Sequence, residues 1–395
     1  MDDIRSTRMF WLLAAVGGAV TAVGLAAAHL METHGHAITG MGNEVVWGLP
    51  HVFAIFMIVA ASGVLNVASV GSVFGQPAYK VRARLSGLLS LALLAGGLMV
   101  LMLDLGRPDR VVVAATHYNF RSVFAWNVFL YSGMAAVVVV YLWTMLEPGL
   151  ARWTKPAGIA VLVWRFVLTT GTGSIFGFLV ARQAYQSAVL APLFIVLSLA
   201  WGLAVFLLAQ AAVSAWTGRR SAPEVRERMA RLLGIFVAAS LYLVAVQHLT
   251  HLYETRRGGF EAFLLLGQGG GARYATLFWL GYVLLGSVLP LVLVFHPRLR
   301  DERGVLAAST LVVGGAFAWL FAFIIGGQAW PLEIFPGRTV SSSFADGAVA
   351  GYAPSLPELL LGLGGVGAAF LITVVGLRLF DMAPHDDAAP AAKGA

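Results

Sequence analysis

Ten apolar stretches organise the chain, at residues 9–30, 45–74, 84–103, 122–146, 158–180, 189–213, 232–252, 274–295, 304–327 and 357–380, with short polar segments between them. Each is close to the roughly 20 residues that a helix needs to cross about 30 Å of hydrocarbon. None carries the alternating ten-residue pattern of a barrel strand. Inside lipid the backbone must satisfy its own N–H and C=O groups, so excluding a barrel leaves helices. The expected fold is therefore all-α, a single polytopic membrane domain over residues 1–395 with about ten transmembrane helices. The stretch after Arg8 has no small-residue cleavage site and is read as a retained span rather than a signal peptide.

Spans three and seven align without gaps from Arg84-Leu85-Ser86-Gly87 against Arg231-Leu232-Leu233-Gly234. In that register Asp104 falls opposite His251, and the following spans open with Arg121 and Arg273, trailed by Trp126 and Trp279. The correspondence predicts two four-helix bundles, spans 2–5 (residues 45–180) and spans 6–9 (residues 189–327), with span 1 and the last span (357–380) peripheral. An offset of four helices makes the two units parallel repeats about an axis along the membrane normal.

Composition narrows the chemistry. The chain is 59% hydrophobic and 11% charged, where soluble domains have about 25% charged residues. Its net charge of +7 resides in the connections between spans, which form no continuous basic face for nucleic acid. These charges set topology instead: seventeen Lys and Arg lie on the side of the N-terminus and eight on the other. Both termini are then expected to be cytoplasmic, in a bacterial cytoplasmic (inner) membrane, with Arg219, Arg220, Arg226, Arg228 and Arg231 as the strongest anchor. His29, His34, His36, His51, His117, His248 and His251 then fall at the outer face, His296 and His385 inside. The absence of cysteine excludes a thiolate-bound iron–sulfur cluster, a c-type haem and a disulfide. His248 and His251 share a helix face but meet no matching pair on a second span, so neither haem nor another metal is expected in this chain.

Ionisable groups in or at the ends of spans are costly and mark functional candidates. Glu44, Trp47 and His51 open span two; Asp104 and Arg107 close span three; His117 and Arg121 precede span four. Quinol oxidation needs proton acceptors beside the ring oxygens, hydrogen bonds to both oxygens and an apolar slot for the tail. Asp104 and His51 are the expected proton-exchanging pair, with Arg107, His117, Arg121, Trp47, Glu44 and His251 as quinone contacts. Simpler roles stand beside these: an Asp104–Arg107 pair at a helix end, an interfacial His51, and Trp47, Trp126 and Trp279 as belt aromatics. Arg165, roughly 10 Å along span five at 1.5 Å per residue, either snorkels to the surface or lines a proton path. The long connections 7–8 and 9–10, the latter about 328–356, are expected to cap the outer site or to dock a partner.

Leu103-Asp104-Leu105-Gly106-Arg107-Pro108 closing one span, with Ser122 and Trp126 opening the next, resembles the NrfD/PsrC family. These are membrane subunits of polysulfide reductase-like and related quinone-linked complexes. The segment from His34 to Asn66, with Trp47-Gly48-Leu49-Pro50-His51, is most similar to the DsrP branch found in Dsr sulfur-metabolism complexes. The resemblance implies a quinone (menaquinone or ubiquinone) near the periplasmic face and a ferredoxin-like iron–sulfur subunit docked there. It also implies further cytochrome and membrane subunits, and site roles for Asp104 and Arg107. The alternatives are a secondary transporter or proton channel using Arg165, and a b-type cytochrome anchor.

Overall fold

The computed structural model describes residues 7–218, 222–332, 347–380 and 382–384. Arg219, Arg220, His385 and residues 333–346 of the connection expected to cap the outer site lie outside the described residues. Among the described residues there is no strand, and ten helices are long and apolar enough to cross a membrane. They are α1 (Thr7–His34), α2 (Leu49–Ser72), α3 (Ala83–Leu103), α4 (Val123–Leu146) and α5 (Thr154–Gly177). The second half contributes α6 (Leu190–Thr217), α7 (Pro223–Tyr253), α8 (Ala272–Phe295), α9 (Glu302–Ala329) and α10 (Leu356–Leu379).

Local chemistry moves several ends away from the apolar boundaries. Helix α2 starts at Leu49 rather than 45, because Gly48 leaves the chain extended and Pro50 suits a first turn whose N–H groups have no helical acceptor. Residues 45–48 therefore precede the helix. Helix α7 begins at Pro223 instead of 232, again with Pro in the first turn and Glu224 beside the positive end of the dipole. Asp301 caps α9 by accepting from the Gly304 N–H at 2.7 Å. Ser355 and Glu358 form a reciprocal capping box on α10.

Helix α2 is almost wholly buried, packed against α3, α5, α6 and α10. Helix α6 continues the core through α5, α7 and α9; α4 joins α3 to α5, and α8 lies on α7 and α9. Helix α10 rests on α3 and α2 and carries α1 on its far side, so α1 has little buried surface. The α2–α6 crossing depends on Gly63 and Gly202, where a Cβ on either residue would collide with the facing backbone. Lipid gives no hydrophobic drive between helices, so such small-residue contacts bring backbones close enough for dispersion to hold them.

Helices α8 and α9 contain π-helical segments, Leu277–Val288 and Phe321–Gly326. A wide turn adds a residue and rotates everything after it by about 100° relative to a continuous α-helix. Two short helices lie in connections at the end where α2 begins: Val111–Thr116 and Gly258–Leu266. The second converts much of connection 7–8 from loop into packed structure, burying Phe260, Glu261, Phe263 and Leu264. The glycine turn that follows has positive φ at Gly267, Gly269 and Gly270.

Candidate functional site

Asp104 terminates α3. Its N–H still bonds to Val100 O at 3.1 Å, its side chain is buried, and Gly106 with φ +67° turns the chain away. His51, in the first turn of α2, faces it with Nδ1 2.7 Å from Asp104 Oδ2. The approach is short but poorly directed, so neither Asp104 oxygen nor His51 Nδ1 has a well-aligned hydrogen-bond partner among the described residues. The two atoms are in close contact; the unmet directionality leaves acceptor capacity in a buried place, which is costly unless another group supplies it.

A cavity of about 330 Å³ opens beside this pair, lined among others by Trp47, His51, Leu101, Tyr131, Phe176 and Ile324. Trp47 stacks on His51 with centroids 5.9 Å apart and planes at 28°, and meets Phe176 edge-on at 5.7 Å. Asn127 also lines it; its Nδ2 donates to Val123 O at 2.8 Å, while Oδ1 is buried without a partner among the described residues. An apolar slot with a few unmatched polar atoms fits a flat, largely apolar ring bearing oxygens.

The segment leading into α2 is tied from elsewhere. Gly40 N–H donates to Glu358 Oε2 at 2.9 Å, Leu49 N–H to the Tyr352 hydroxyl at 2.7 Å, and that hydroxyl to Glu358 Oε1 at 2.6 Å. Burial and the Glu358 carboxylate hold the Tyr352 phenol well above its ordinary pKa, so it stays a donor. Arg182, between α5 and α6, donates to Glu44 O at 2.9 Å.

A second polar cluster lies at the same end of α6–α9. Glu261 accepts from His248 Nδ1 and His251 Nδ1, each at 2.8 Å. His251 Nε2 faces Arg257 Nη1 at 2.8 Å and Gln247 Nε2 at 2.7 Å. Arg257 also contacts Glu254 Oε2 through Nε at 2.7 Å and donates to Gln183 O and Gln186 Oε1, both at 3.2 Å. Burial alone would raise the Glu261 carboxyl, but the two imidazole donors outweigh it and hold it below its ordinary value. Only about 20 Å³ of space remains beside these groups, room on the order of a single water.

The other expected site residues are dispersed. Arg107 does not reach Asp104: beyond the Gly106 turn its fork grips Asp109 at 3.0 Å through Nε and Nη2, both side chains mostly exposed. His117 is exposed beside Thr116 Oγ1 at 3.0 Å, and Arg121 is exposed, its backbone N–H bonded to Asn119 Oδ1. Glu44 is half-buried, and neither it nor His117 nor Arg121 lines the cavity. His251 belongs to the second cluster. Arg165 is buried inside the bundle rather than snorkelling, its guanidinium carbon 4.2 Å from the Phe166 ring centroid. Its Nε and Nη1 have no partner among the described residues. Asn127 and Tyr131 are cavity residues that hydropathy alone does not single out. Their signal is a pair of polar groups four apart on an otherwise apolar span, hence on one face.

The sequence model of the family described as polysulphide reductase, NrfD, matches residues 37–331, which contain α2 to α9. The chain is similar to the Hdr-like menaquinol oxidoreductase integral membrane subunit of Archaeoglobus fulgidus, 30% identical over 95% of this chain and 94% of that one. A second relative, a membrane subunit of the putative dimethyl sulfoxide reductase of Halobacterium salinarum, is 30% identical over 93% of this chain and 90% of its own. A third, from the polysulfide reductase of Wolinella succinogenes, is 23% identical over 73% of this chain and 96% of its own.

Proposed function

The chain belongs to the polysulphide reductase NrfD family, and from that premise we propose that it exchanges electrons with a quinone held beside His51 and Asp104. It is a multi-pass membrane protein and a membrane subunit of an oxidoreductase complex. The observation that carries the quinone reading is the apolar cavity of about 330 Å³ lined by the half-buried His51 imidazole, behind which the buried Asp104 carboxylate has unmet hydrogen-bonding capacity. A bound quinol supplies two electrons and two protons. His51 turns Nδ1 to Asp104 and leaves Nε2 to take the two protons in succession, releasing the first before the second arrives, and the Asp104 carboxylate stabilises the imidazolium formed each time. Trp47 and Phe176 form apolar walls.

Menaquinone is the favoured species, on the name of the Archaeoglobus relative. The electrons pass to a partner, a ferredoxin-like iron–sulfur subunit on the periplasmic side, since this chain offers no thiolate for a cluster. Further cytochrome and membrane subunits complete a complex of DsrP type in sulfur metabolism. The charge asymmetry of the connections supports cytoplasmic termini and an outer location for the cavity. Arg165, a buried cation inside the bundle, is the proposed element of a proton path.

The test combines composition and kinetics. Purified protein should retain about one extractable quinone per chain, as one ring-sized cavity beside His51 implies. Asp104→Asn should assemble normally, because the change is nearly isosteric, and lose roughly 100-fold in quinol-dependent turnover. No retained quinone would remove the reading, and an Asp104→Asn variant turning over at the wild-type rate would remove Asp104 from proton transfer.

A further inference from the structure

The four hydrogen-bonding positions of one buried side chain are nearly all spent on the segment that presents Trp47 to the cavity. Gln328, 2% exposed, lies in the last turn of α9. Its Oε1 accepts from Val46 N–H at 3.1 Å and from Trp47 N–H at 3.0 Å. Its Nε2 donates to Trp47 O at 2.9 Å and to Ile324 O at 3.0 Å. Two N–H groups on one side and two carbonyls on the other fix which atom is oxygen and which nitrogen. Residues 45–48 have no helical ladder of their own, so the amide acts as a short piece of partner backbone for them.

We propose that Gln328 is a positioning residue that sets the Trp47 ring as a wall of the cavity and thereby determines how a quinone ring seats beside His51. The proposal rests on the quinone reading of that cavity.

The chemistry of the side chain is specific. A primary amide is what offers two acceptor and two donor directions at the end of a two-methylene stem; Asn is one methylene short, Glu has no donor, and Met has neither strong donor nor acceptor. The π-helical segment Phe321–Gly326 ends just before Gln328, and the extra residue it contains decides which face of α9 the amide occupies. Arg182 closes the arrangement by donating to Gln328 O at 2.6 Å and to Glu44 O at 2.9 Å, fastening the clamp and the start of the segment to one guanidinium. Trp47 in turn touches His51, Phe124 and Phe176. Displacing its peptide displaces a wall of the cavity while leaving Asp104 and His51 on their own helices.

A double-mutant cycle on the complete purified complex separates positioning from mere support of the fold. Gln328→Met should raise the quinol KM about tenfold, the scale of losing a shaped apolar contact, with kcat within about twofold because the proton-accepting pair is untouched. Amide hydrogen exchange should accelerate at Val46 and Trp47 and stay unchanged through α9. In a Trp47→Ala background the same substitution should add nothing. Gln328→Glu, matched in volume, serves where Met does not assemble; its carboxylate oxygen against Trp47 O should give at least as large a KM effect. Wild-type KM in an assembled Gln328 variant, or full additivity with Trp47→Ala, overturns the clamp while wild-type quinone binding stands. Absence of quinone binding in the wild-type complex overturns both the clamp and the reading on which it rests.

Discussion

Two donors converge on His251 Nε2, and Arg257 cannot be anything but a donor, so that nitrogen must accept and the imidazole must be the neutral Nδ1–H form. Its proton then points at Glu261, which takes a second N–H from His248. Glu261 has its pKa depressed in the folded protein, so the stability it contributes is fully present above the ordinary carboxylate range and is lost as pH falls through the lowered value. Acidifying below about pH 4 should therefore loosen the Gly258–Leu266 helix first, as seen in its amide exchange, with the His248 and His251 imidazoles as the groups that face the carboxylate. Glu261→Gln should flatten that pH response; an unchanged acid profile would show that the carboxylate is not what ties this helix down. Asp104 and His51 were legible in the sequence because polar residues at the ends of apolar spans are scarce. Glu261 was not, because it lies in a connection whose burial only the folded chain reveals. Arg107 looked like the partner of Asp104 from spacing alone, and the left-handed turn at Gly106 sends it to Asp109.

At the scale of helices, span positions followed from hydropathy and their ends did not. Pro50, Pro223, Asp301 and Ser355 decide where helices begin, and caps are chemistry of single residues that an apolar average smooths away. The π-helical segments in α8 and α9 were equally hidden, since a widened turn leaves composition unchanged. The glycines at the α2–α6 crossing give a direct test. Gly63→Leu or Gly202→Leu pushes a side chain into facing backbone, so either should reduce correctly assembled protein in detergent at least severalfold, while Gly18→Leu, with open space around it, should be tolerated. Equal yields for all three, read by size-exclusion chromatography, would mean that the crossing is not tight.

For the molecule as a whole, we propose the division into two four-helix units. The neighbours support it: α2, α3, α4 and α5 close a ring of contacts, as do α6, α7, α8 and α9. Orientation is open to a clean measurement, because the chain has no cysteine and any introduced thiol is the sole label. His34→Cys and Arg228→Cys both replace exposed side chains. In intact cells a membrane-impermeant maleimide should modify the first, and the second only after permeabilisation; labelling of position 228 from outside would move the cavity to the cytoplasmic face.

The ties made by Tyr352 and Glu358 to Leu49 and Gly40 have a consequence for the order of synthesis. The ribosome delivers α2, with His51, near the start of translation, and the anchors that settle the segment before it come some three hundred residues later. Until α10 enters the bilayer, Gly40 and Leu49 lack these partners, and the segment between them relies on the holds that Gln328 and Arg182 provide. Completion of the polypeptide thus finishes the lead into α2: a chain that stops before its last helix lacks the Glu358 bond to Gly40.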